Sequence, residues 1–329
     1  MQESLKKLKK ALELSESGQH SAVIDYLAGF PASEVEDSPT LALLLGSAQA
    51  RLGRREEGER LVDVALDRAR ARGDHAVELR ALNARGAIAL VTGRIDEAEE
   101  FFTSGLNAAK RQSDHDTIGR CSNNLGILQH NRGQYDMALS SYTIALAAFQ
   151  QAGSQRGVAG VETNLGITYR DLGQLKRALQ QAGRAVQAAL LVGDRGLEAQ
   201  TLAVQAEIRA LAGDPKLARR EIERALQIHR QLEDEPKETD DIRILAGILA
   251  ALGETDEAEA LLRDVLGRAK QEERPKMQGD AGRDLARLLV QLGRVDEATE
   301  VAREARVVFN QYGAVAEVEK LDALIGQLT

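Results

Sequence analysis

Apolar and small residues return along this chain at helical spacing, and the pattern breaks at a glycine every 40 residues without one insertion. The breaks are Gly53, Gly93, Gly133, Gly173, Gly213, Gly253 and Gly293, each closing one helical stretch and opening the next. Seven units follow, starting at Pro39, Leu79, Gly119, Ala159, Ala199, Thr239 and Gly279. The eighth position of the unit is always Gly or Ala, as in Gly46, Gly86, Gly126, Gly166, Ala206, Ala246 and Ala286. The twentieth (Gly58, then Ala98 to Ala298) and twenty-seventh (Ala65, Gly105, Ala145, Ala185, Ala225, Val265, Ala305) are nearly as small. Small side chains on both arms let two helices cross closely, ridges of one entering grooves of the other. Each unit therefore reads as a helical hairpin.

The mid-unit glycine falls where a helix ends in left-handed backbone, which Gly adopts without a Cβ penalty. Carboxylates then open the second helix, as in Asp96-Glu97 and Asp256-Glu257, and complement its dipole. Ser38-Pro39 and Asp214-Pro215 read as a cap followed by a first helical residue, whereas Pro31, Pro236 and Pro275 fall in predicted connections. Gly73, Ser113, Gly153, Gly193, Glu233, Glu273 and Gly313 mark the joints between units on the same period. Residues 1–38 are expected to be a degenerate hairpin, with helices over Glu3–Glu16 and Ser21–Phe30. Residues 39–318 hold the seven repeats, and Ala314–Leu328 reads as a last first-helix, residues 319–329 being the end of that cap. The expectation is a single all-α array of about eight hairpins plus a capping helix, 17 helices in all, with the acidic stretch from Leu232 to Asp241 as a solvated joint.

Composition supports an array over one thick core: hydrophobic residues are 43%, aromatics only 3%, and Trp is absent. A net charge of −8 speaks against nucleic acid or an anionic membrane as partner, since either calls for a basic face. A lone cysteine, Cys121, cannot build an internal disulfide framework and fits a reducing compartment. With no signal-like N-terminus, no long apolar run and no Asn-x-Ser/Thr acceptor, a cytoplasmic location is expected.

These small positions and the turn glycine, with Asn124-Leu125-Gly126, Asn164-Leu165-Gly166 and Tyr135-Asp136-Met137-Ala138, resemble the tetratricopeptide repeat signature over nearly the whole chain. The usual Trp is missing, and the 40-residue unit is longer than the common repeat. This places it near the long-helix branch of Pins/LGN, kinesin light chain and the bacterial Rap-type peptide-responsive regulators. The resemblance implies a right-handed superhelix, an α-solenoid, that binds another protein or peptide.

No phosphate loop, zinc-binding His-Glu-x-x-His, cysteine pair or nucleophile elbow occurs, so neither catalysis, a metal nor a cofactor is expected. His75 and His115 share a joint position and read as surface loop residues, and Cys121 as a small packed side chain. On the first helices, inward positions gather Arg80, Asn83, Arg120, Asn123, Asn124, His130, Asn131, Asn164 and Arg170. Amides can bond the backbone of an extended peptide, and guanidinium groups can clasp a carboxylate. The expected function is a scaffold holding an acidic or carboxylate-ended segment of a partner. The alternative is a sensor whose array responds to a peptide or small ligand and switches a separate effector. The unpartnered apolar edge of the last helix is open to self-association.

Overall fold

A computed structural model describes residues 2–16, 18–311 and 313–328. Among them there are 18 helices and no strand. The first four are α1 (Gln2–Glu16), α2 (His20–Ala28), α3 (Ala32–Asp37) and α4 (Pro39–Arg51). Then come α5 (Arg55–Arg72), α6 (His75–Val91), α7 (Ile95–Gln112), α8 (His115–Asn131) and α9 (Tyr135–Gln151). After α10 (Gln155–Asp171), α11 (Leu175–Val192), α12 (Arg195–Leu211) and α13 (Pro215–Gln231) follow α14 (Glu235–Leu252) and α15 (Thr255–Gln271). The chain ends with α16 (Pro275–Gln291), α17 (Val295–Gln311) and α18 (Val315–Leu328). Helices pack as consecutive pairs, and the chain forms two compact units, Met1–Leu125 and Gly126–Thr329.

Punctuation is set by two neighbouring residues at five of the seven joints. Gly73, Gly153, Gly193 and Gly313 have positive φ, and so do Ser113, Glu233 and Glu273, the three non-glycines of that column. The following residue caps the next helix: Asp74, Asp114, Ser154, Asp194 and Asp234 accept the backbone N–H three residues on, at 3.0 to 3.2 Å.

The core is a set of close crossings. Ala98, Ala138, Ala178, Ala218, Ala258 and Ala298 are fully buried. A methyl at Gly86 would lie 2.5 Å from the Phe102 ring, and one at Gly126 would lie 2.5 Å from Tyr142. In later hairpins the eighth position is Ala206 or Ala246, and the facing residue shrinks to Ile222 or Leu262. These four crossings hold their volume by trading one arm against the other.

Four expectations are corrected. The helix count is 18 rather than 17, because Ala32–Asp37 makes a short extra turn in the degenerate N-terminal segment, packed through buried Val35. Pro236 and Pro275 lie inside the first turns of α14 and α16, where a missing N–H costs nothing. The acidic stretch is largely helix from Glu235 onward, and Asp241 is buried against His229, Nδ1 to Oδ2 2.7 Å. His75 and His115 likewise begin α6 and α8 rather than lying in loops.

Candidate functional site

The first helices carry the polar residues, and each unit arranges them differently. In Met1–Leu125, Asn124 Nδ2 donates to Asn83 Oδ1 at 2.9 Å, tying α8 to α6. The Cys121 thiol lies 3.7 Å from the same oxygen, buried, and burial pushes it up to about 12. It is a packing residue rather than a nucleophile. Asn123 is half-buried beside them. Arg80 and Arg120 are exposed: the first donates to the carbonyl of Ala76 at 3.3 Å, and the second pairs with Asp116 at 2.6 Å in its own helix.

The sequence reading missed a second cluster here. Arg85, 7% exposed, reaches Glu59 at 2.7 Å, Asp63 at 2.5 Å and Glu97 at 3.0 Å, and lies over the Phe101 ring. Arg94 grips Glu59 with two bonds of 2.7 Å, which, with Arg85, holds that carboxyl below its ordinary range. Arg85 stands in a column otherwise made of Leu45, Leu125, Leu165, Gln205, Leu245 and Leu285. That odd member was the signal: a guanidinium in a leucine site must bring carboxylates with it.

In Gly126–Thr329, inward-facing charges close into a ring. Arg170 bonds Asp171 at 2.8 Å and Glu207 at 2.5 Å, and Glu207 meets Arg243 at 3.5 Å. Arg243 bonds Asp284 at 2.5 Å, Asp284 bonds Arg283 at 3.0 Å, and Arg283 bonds Glu317 at 2.7 Å. Glu317 bonds Lys320 at 2.7 Å, and Lys320 returns to Asp171 at 3.2 Å. Five helices, α10, α12, α14, α16 and α18, supply these eight alternating charges. His130 joins the ring, Nε2 3.3 Å from Asp171 and Nδ1 3.0 Å from the Thr168 hydroxyl, which itself donates to the Asn164 carbonyl at 2.8 Å. Burial alone would raise the Asp171 carboxyl, but the His130 bond and the charges of Arg170 and Lys320 outweigh it and hold it well below the usual range. Asp284 and Glu317 are lowered against their burial by Arg283 with Arg243 and by Arg283 with Lys320.

The candidate residues thus separate. Asn83, Asn123 and Asn124 come together in one unit, with Arg80 and Arg120 standing exposed on the same first helices. In the other, His130 and Arg170 share Asp171, and Asn131 and Asn164 are half-buried on α8 and α10. Arg170 was expected to await a ligand carboxylate, but Asp171 and Glu207 already occupy it.

A family model described as tetratricopeptide repeat matches residues 79–151 and 117–191, and a second so described matches 39–63, 243–264 and 280–304. No curated protein matches by sequence. Among solved structures, the chain is similar to a Rap protein complexed with competence and sporulation factor, at 13% identity and TM-score 0.65, over 99% of this chain and 97% of that one. NprR in complex with its cognate peptide NprX is similar at 18% identity and TM-score 0.63, over 100% of this chain and 98% of that one. The apo form of RapI gives 14% identity and TM-score 0.67, over 83% and 99%. At these identities the likeness is one of fold. No helix among the described residues is long and apolar enough to cross a membrane.

Proposed function

Since this chain belongs to the tetratricopeptide repeat family, we propose that it binds an extended peptide segment of a partner protein on the inward sides of its first helices. The observation that carries the reading is the half-buried amides on those helices, Asn83, Asn123 and Asn124 in one unit and Asn131 and Asn164 in the other, which lie outside the hydrophobic clusters. An amide offers a donor and an acceptor together, which is what a peptide backbone needs from its host. The bond between Asn83 and Asn124 uses one N–H of Asn124 and the oxygen of Asn83, so these two amides keep further N–H groups to offer a ligand. Arg80 and Arg120, both exposed, suit acidic side chains or a terminal carboxylate. The similar structure described as NprR in complex with its cognate peptide lends this reading weight.

A second reading, a sensor that changes form on binding, is favoured by the ion-pair ring, because paired charges on separate hairpins can exchange partners when a charged ligand arrives.

Peptides selected from a display library against the protein supply the test. Asn124→Ala with Asn164→Ala should weaken the selected peptide by about 1–3 kcal/mol in isothermal titration. Thermal stability should fall only slightly, through loss of the Asn83–Asn124 bond. An affinity untouched by this pair and by Arg80→Glu with Arg120→Glu would remove these faces as the binding surface.

A further inference from the structure

In Gly126–Thr329 every extensive helix–helix interface joins elements adjacent or next but one along the chain. The ring breaks that rule at one link: Lys320 Nζ meets Asp171 Oδ2 across 149 residues. We propose that α18 is a strap and the Lys320–Asp171 bridge its latch, so that this unit alternates between a latched and an unlatched form.

The latch is thin. Besides the bridge, Tyr135 shares a hydrogen bond with Lys320, and Ala316 comes within 3.6 Å of where a Gly133 side chain would begin. The rest of α18 is firmly seated, with Leu321 buried and Val318, Leu324 and Ile325 packed against the cluster of α16 and α17. Opening therefore keeps α18 on its own neighbours and is absorbed by small rotations between successive hairpins, which add along a stack whose members touch only their neighbours.

Charge makes opening inexpensive. Removing one partner of a buried ion pair is normally severe because the other charge is stranded. Here neither is stranded: Asp171 retains Arg170 and His130, and Lys320 retains Glu317. Lys320 is one-third exposed, so salt reaches it. The bearing of the latch on peptide access rests on the binding role proposed above; the latch itself does not.

Spin labels at Asp136→Cys on α9 and Glu319→Cys on α18, both exposed positions, report the latch by pulsed dipolar spectroscopy in the full chain. Cys121 can stay, since its thiol is buried and hard to ionise. At low salt the labels should show one dominant short distance. Lys320→Gln should raise the longer-distance fraction about two- to five-fold, the range for a partly exposed pair. About 1 M salt should do the same without substitution, and Lys320→Arg should preserve the short distance. Identical distance distributions for the parent and Lys320→Gln at both salt levels would overturn the proposal. Failure of the asparagine substitutions to weaken a peptide would leave these distances unchanged, so the two ideas fail separately.

Discussion

A left-handed backbone at an L-residue with a Cβ costs about 1–2 kcal/mol relative to the right-handed form, and glycine escapes most of that. Glu233 and Glu273 bear it at φ of 54° and 52°, in a column where Gly73, Gly153, Gly193 and Gly313 do not. Glu233→Gly and Glu273→Gly should therefore each raise stability, by about 0.5–1 kcal/mol after glycine's larger unfolded-state entropy is set against the relief. Urea unfolding followed by circular dichroism measures it; two variants no more stable than the parent would mean that the exposed glutamates compensate locally. These positions were legible in the sequence because a 40-residue register places them. Arg85 was not, since a pattern of small residues says nothing about which carboxylates approach from two other helices.

Between helices, the volume trade predicts coupling. Gly86→Ala puts a methyl 2.5 Å from Phe102 and should cost about 1–3 kcal/mol. Phe102→Leu alone should also cost stability, by leaving space over Gly86. Together they reproduce the pairing that Ala246 and Leu262 make in a later hairpin, so the double variant should be more stable than the two losses summed predict. A double-mutant cycle with no coupling energy would show that the crossing adjusts by moving backbone instead. At this scale nearly every boundary between Pro39 and Gly313 was readable, because glycine, cap and small residue recur in phase. The acidic run at Leu232–Asp241 misled for a physical reason: at the start of a helix carboxylates are favoured by the dipole, so charge density there marks a helix as readily as a loop. Pro236 and Pro275 belong to the same lesson.

For the unit Gly126–Thr329 as a whole, the ring ties stability to pH. Asp171, Asp284 and Glu317 all titrate below their ordinary values in the fold. Unfolded carboxyls take up protons near pH 4, while these folded ones are still ionised. The folded state then holds fewer protons, so acidification favours unfolding. The contribution is fully present above about pH 5 and fades as pH falls through about 4 and below. Denaturation midpoints across that window should decline steeply for the parent and less steeply for Asp171→Asn; equal slopes would show that Asp171 carries none of it. Of the ring's members, Arg170 was visible in the sequence as an inward-facing charge, but its pairing was not. Partners stand 34 to 41 residues apart at four links, which a scan within one helix does not connect. The link from Asp171 to Lys320 depends on how hairpin rotations accumulate.

Repeat arrays commonly tolerate gain or loss of a unit, because each unit meets only its neighbours. The ring changes that rule for this protein. Excision of residues 199–238 would preserve the glycine register and every small-residue crossing type, yet it would remove Glu207, the carboxylate that Arg170 and Arg243 share. Copy number in this half of the molecule is thus under electrostatic proofreading: hairpins are interchangeable in shape, but not in sign.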